Sequence, residues 1–138
     1  MKGKYSVVDV SSYIIFSSKL NNNGVSNLRL QKLLYYVQAE FLLEQGVGAF
    51  KEEIEAWDFG PVVPEVYHMY KMFGREDIVY PLDMFIDSVD KIEQNDRKII
   101  DDVLNRSKNI PTMELVNMTH QEEPWIDAYN RGAGSTLY

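Results

Sequence analysis

Cysteine is absent from all 138 residues, which excludes a disulfide framework and any thiolate metal site and suits a reducing compartment. Long apolar runs are missing as well, since nothing approaches the roughly 20 consecutive residues that a membrane-spanning helix requires. Ser6, Asp9, Ser11 and Ser12 interrupt the opening stretch, so it lacks the unbroken apolar core of a secretion signal. A cytoplasmic protein with no membrane association is expected. Basic residues are in deficit, 14 Lys and Arg against 21 Asp and Glu, for a formal charge of -7. A surface of that sign repels a phosphate backbone, so nucleic acid is disfavoured as a partner and a basic protein is attracted. The same acids also serve plain solubility. No repeat, low-complexity segment or linker divides the chain, and residues 1–138 read as one domain.

What is present is a core-forming composition: 45% hydrophobic residues, with 6 Phe, 9 Tyr and 2 Trp, enough apolar area for one packed interior. Val7, Val10, Ile14 and Ile15 predict a helix over 7–20, closed by the turn formers Asn21 to Gly24. A longer helix is predicted over 27–45, capped by Ser26 or Asn27, with Leu30, Leu33, Leu34, Val37 and Phe41 as its apolar stripe and Gln31, Lys32, Gln38 and Glu40 pointing elsewhere. Ile54 to Phe59 alternates apolar and polar, the period of a short strand with one buried face. Gly60 and Val63 should be extended, because residues before proline avoid the helical region. Pro64 suits the first turn of a helix carrying Val66, Tyr70 and Phe73 and ending at Gly74.

Further on, a short strand is predicted around Ile78-Val79-Tyr80. A helix is predicted over 87–107, with Ile92, Ile99, Val103 and Leu104 inward and the acid–base pairs Asp87/Lys91, Glu93/Arg97 and Asp102/Arg106 along it. Another helix should cover 112–119, and a last turn 124–129. The tail from Arg131 to Tyr138 carries no clear signal. The expected fold is mainly α, a compact helical domain with one β element between its second and third helices.

Catalytic chemistry finds little footing. Glu65 with His68, and His120 with Glu123, each place an acid and a histidine three apart, and two such pairs facing each other would suit a metal ion. Surface or capping histidines are the plainer reading. No Gly-x-Ser-x-Gly elbow occurs, Thr119 and His120 are mere neighbours, and Gly46-Val47-Gly48 is too short for a phosphate loop. The sequence predicts no enzyme, no metal and no cofactor.

Binding is better served. Trp57 and Phe59, two apart on a strand, would share a face, and the prolines at 61 and 64 would pre-organise that corner beside Tyr67 and Tyr70. Such a rigid aromatic platform suits a binding hot spot, where Trp and Tyr are enriched. A tryptophan in an alternating strand is also an ordinary core residue, so both readings stand. Tyr35 and Tyr36 point about 100° apart and cannot both be central core. With Gln31 and Lys32 one turn before them, they form either a solvated helix face or a second contact strip.

Three segments carry a resemblance to a known family. Leu30-Gln31-Lys32-Leu33-Leu34-Tyr35-Tyr36 resembles a helix core of the Panacea-domain antitoxins, SocA-like proteins also met as phage-associated GepA-type proteins. Glu55-Ala56-Trp57, then Phe59-Gly60-Pro61-Val62, then Pro64 and Val66-Tyr67, is similar to that family's most specific segment. Thr119-His120 and Pro124-Trp125 form a weaker third match. The chain departs from the family pattern after Arg131, where a longer tail is expected. The resemblance implies a mainly helical domain of a prophage or mobile element that neutralises a cognate toxin by direct binding. As an alternative it admits an adaptor that delivers a partner to host protease machinery, or another phage regulatory factor. These roles follow from the resemblance, not from composition or spacing.

Overall fold

The computed structural model describes residues 2–79 and 81–138, and over them the chain is mainly α-helical. In order come β1 (Gly3–Tyr5), α1 (Val7–Leu20), α2 (Asn27–Gln45), β2 (Gly48–Phe50), β3 (Glu55–Trp57), β4 (Gly60–Val62), α3 (Pro64–Tyr70), α4 (Ile86–Asp90), α5 (Gln94–Ser107), α6 (Thr112–Thr119) and α7 (Glu123–Arg131). Short 3-10 turns at Lys71–Phe73 and Leu82–Phe85 join α3 to α4. β1 and β2 pair in parallel, Gly3 opposite Gly48 and Tyr5 opposite Phe50, while β3 and β4 form a tight antiparallel hairpin.

α2 is the axis, touching α1, α3, α5, α6, β2 and β4. Ser26 caps it by accepting from the Arg29 N–H at 3.2 Å, satisfying one of the donors a helix start leaves free. Gly46, at φ +74, ends it in the left-handed conformation. Leu30, Leu34, Val37 and Phe41 are fully buried and join Ile14 of α1, Phe50 of β2, Val66 of α3 and Ile100 of α5 in one core.

The expected division of α2 into an apolar and a polar face does not hold. Gln31, Lys32 and Gln38 are at most 1% exposed, because six elements pack against α2. Its neighbours include strands three residues long whose backbone groups cannot all pair with one another. A buried N–H or C=O must still find a partner, and the polar side chains of α2 supply it. Gln38 accepts from the Phe50 N–H at 3.2 Å and donates to the Phe50 carbonyl at 3.0 Å, clamping β2 to the axis.

The helix expected over 87–107 is two helices, broken at Lys91–Glu93. No proline or glycine marks the break. Ile92 is 1% exposed, the Glu93 N–H donates to the Tyr5 hydroxyl, and the Arg97 side chain donates to the Ile92 carbonyl at 2.7 Å. Asp96, in the first turn of α5, is buried and receives Lys4 at 2.7 Å, Tyr5 at 2.5 Å and Gln45 at 2.8 Å. Burial works to raise its carboxyl, but these donors outweigh burial and hold it below the usual carboxylate value. The cations of this stretch also reach across elements: Lys91 lies 4.0 Å from Asp9, and Arg106 lies 3.5 Å from Glu40.

Residues 78 and 79 are not a strand. Asp77 forms an isolated bridge with Ser26, the Ile78 N–H donates to the Val25 carbonyl, and Tyr80 lies outside the described residues. The tail has a place after all. Gly134 N–H donates to the Ala56 carbonyl, Ala56 N–H to the Ser135 carbonyl and Leu137 N–H to the Ile54 carbonyl, at 2.8 to 2.9 Å. The last residues therefore lie along the free edge of β3, with Leu137 buried. Among the described residues no helix is long and apolar enough to cross a membrane.

Candidate functional site

The site is built upward from the first turns of α2. Asn27, 3% exposed, donates to the Tyr67 carbonyl at 2.9 Å and accepts from Gln31 at 3.0 Å. Gln31 in turn accepts from the Val63 N–H at 2.9 Å. Lys32, with no exposed surface, donates through Nζ to the Pro61 carbonyl at 2.9 Å. Three side chains of one helix face thus hold the Gly-Pro-Val-Val-Pro corner and the start of α3. Burial lowers the Lys32 ammonium to about 7 from its ordinary 10.5, since no carboxylate compensates the lost hydration.

The hairpin above this row is tighter than alternation suggested. Asp58 and Phe59 form its turn, so Phe59 is not a strand residue facing the same way as Trp57, and it stands 61% exposed. Gly60 follows at φ +105, and a Cβ there would sit 2.8 Å from Thr119 Oγ1 and 2.9 Å from Lys32 Cε. Only glycine meets both the angle and the closeness.

The C-terminal motif closes the other side. The Trp125 indole N–H donates to the Trp57 carbonyl at 2.9 Å. Its ring lies between His120, with centroids 4.2 Å apart, and Tyr129, stacked at 4.5 Å, and Tyr129 donates its hydroxyl to Asp58. Thr119 is buried beneath, donating to the Val116 carbonyl, and Pro124 falls in the first turn of α7. The three motif segments, distant in sequence, meet around one hairpin.

Between the hairpin, α3, α6 and the tail lies an open groove of about 1120 Å³. Trp57, Phe59 and Tyr67 line it, Trp57 meeting Tyr67 edge-on at 5.0 Å. Leu28, Met113 and Gly134 complete the apolar wall, and Lys71 and Arg75 stand at the mouth. None of these last five stood out in the sequence. No sequence signal marked the tail's place in the wall, where Gly132 and Gly134 both take positive φ.

Three expected contact residues are elsewhere. Tyr35 and Tyr70 are 2% and 3% exposed, core residues rather than contacts. Tyr36 is half-buried and does not line the groove. Tyr35 and Tyr36 each donate a hydroxyl to one oxygen of Glu122, at 2.7 and 2.9 Å. A single carboxylate bridging the pair lets two adjacent tyrosines both turn inward. Burial, reinforced by that acceptor, pushes both phenols well above their ordinary value. Gln31 and Lys32 form no contact strip beside them, being buried under the corner.

The metal alternative fails on geometry. Glu65 and His68 are exposed on α3, His120 is stacked against Trp125, and among the described residues no three metal-ligating side chains come together.

Residues 30–126 match the family described as Antitoxin SocA-like, Panacea domain, a span that contains all three motif segments. A curated relative, Antitoxin SocA of Caulobacter vibrioides (strain NA1000 / CB15N), is 32% identical over 123 residues, covering 82% of this chain and 64% of its own length. The chain therefore spans just under two thirds of that relative. No solved structure matches it. The matched span takes in Gln31, Lys32, the glycine-proline corner and Trp125, and the chain belongs to the SocA-like, Panacea-domain antitoxin family.

Proposed function

We propose that the chain is an antitoxin that acts in the cytoplasm by binding a cognate toxin protein in the groove walled by Trp57, Phe59, Tyr67 and Met113. The relative named an antitoxin supports the functional class. The observation that carries the surface is the exposure of Phe59 and Met113, at 61% and 52%, on one concave apolar wall. Large apolar side chains left in water around a cleft favour a partner that covers them. Binding fits the polar groups beneath the groove: Asn27 and Gln31 are engaged with the fold's own backbone.

The test is co-expression with the product of the adjacent gene. That product alone should arrest growth, and this protein should restore it. Phe59→Asp, placed on an exposed turn, should keep the melting temperature within a few degrees yet lose rescue and co-purification. Rescue by the folded Phe59→Asp protein would remove the groove from the reading, and a harmless neighbour would remove the antitoxin role. Measuring the partner's steady-state level in the same cells separates sequestration, which leaves it constant, from delivery to a protease, which lowers it.

A further inference from the structure

We infer that the segment seated in the groove is apolar and acidic, an aromatic or branched aliphatic side chain accompanied by an Asp or Glu, although the protein as a whole is itself acidic. The inference rests on the groove being the docking face. At about 1120 Å³ the groove exceeds the roughly 300–1,000 Å³ of small-molecule sites, which points to a stretch of polypeptide. The apolar wall sets half of that segment's chemistry. Met113 on that wall is unbranched and polarisable, a side chain that adapts to varied apolar shapes.

The charges at the mouth set the other half. Lys71 and Arg75 are exposed and line the groove, and among the described residues neither side chain has a hydrogen-bond or ion-pair partner. Other cations of this base-poor chain are engaged internally: Lys4 with Asp96, Arg29 with the Ser107 and Ile110 carbonyls, Lys32 with Pro61, and Arg131 with the Thr136 carbonyl. Among the described residues the lining holds one carboxylate, Asp58, which accepts the Tyr129 hydroxyl and keeps its charge, so two cations face one anion there. Exposed charges are screened beyond about 8–10 Å at physiological salt. A bound segment therefore responds to the two cations beside it more than to the net charge of -7. A basic toxin can be drawn towards the molecule by its overall field, yet the part that enters the groove should be acidic.

The probe is a random linear peptide library displayed on phage and panned against the purified protein, with recovered peptides measured by fluorescence anisotropy. Recovered sequences should combine Trp, Phe or Leu with Asp or Glu. Their affinity should fall about five- to tenfold in Lys71→Glu/Arg75→Glu and weaken with added salt. Basic or neutral sequences, no enrichment above a blank panning, or unchanged affinity in the charge-reversed protein would overturn the inference. A second variant, Phe59→Ser/Met113→Ser, keeps the two readings apart. Acidic peptides indifferent to both variants bind elsewhere, and the groove itself then falls. Peptides sensitive to Phe59→Ser/Met113→Ser but indifferent to charge reversal leave the groove standing and remove the acidic segment.

Discussion

Lys32 concentrates the residue-scale chemistry of this fold. A lysine buried without a carboxylate is costly when charged, and its folded-state value near 7 against about 10.5 in water makes it a pH-dependent fastener. Between those values the unfolded chain holds the proton and the folded protein does not, so raising the pH removes an advantage of the unfolded state. Stability should therefore climb from about pH 7 to about pH 10, by no more than about 1.4 kcal/mol per pH unit. Above that the raised tyrosines act with opposite sign. Burial and the hydrogen bond to Asp96 hold Tyr5 protonated to about 12 in the folded protein, so stability declines once unfolded tyrosines begin to ionise near 10. Urea melts of the wild type and Lys32→Met across this range check the assignment: Lys32→Met should flatten the rise, and parallel slopes in the two proteins would refute it. Residue identity was legible at this position and burial was not. Lysine is almost never buried, and only the nearby Pro61 carbonyl, remote in sequence, makes the exception workable.

Elements were more readable than their surroundings. The bounds of α1 and α2 follow from apolar spacing and turn formers, and both match the expected spans. The β element between the second and third helices is present, but as a hairpin, because an alternating run says nothing about where the chain doubles back. The α4/α5 break was illegible, since contacts from Tyr5 and Asp96, far apart along the chain, impose it. The Panacea-like corner was recognisable as a unit, and Gly60 states its physical requirement. Gly60→Ala would force a strained φ and press a methyl group against Thr119 and Lys32, both fully buried. We expect a loss of about 2–4 kcal/mol in thermal or urea unfolding, where a loss under 1 would mean that the corner relaxes freely.

At the scale of the whole molecule, order runs from a rigid axis outward to a light closure. α2 and the helices around it share one core, which Leu137 of the tail joins, whereas the rest of the tail is held by three backbone hydrogen bonds and the Arg131 side chain on the Thr136 carbonyl. Deleting residues 133–138 should therefore lower stability by only about 2–3 kcal/mol and leave the helices cooperative. The Ala56 amide, which donates to the Ser135 carbonyl, should lose protection in hydrogen exchange while the α2 amides keep theirs; uniform loss would mean that the tail and α2 open as one cooperative unit.

The row of Asn27, Gln31 and Lys32 beneath the corner has a consequence for how such a surface can change. Those side chains grip backbone atoms, namely the Tyr67 and Pro61 carbonyls and the Val63 N–H. Their hold is blind to whatever side chains the corner displays. Phe59, Lys71, Arg75 and Met113 can therefore be exchanged with little effect on the framework below, because distant, independent substitutions add rather than interfere. Recognition and architecture draw on separate sets of atoms, and a lineage could drift from one partner to the next by altering the rim while every grip on the main chain stays in place.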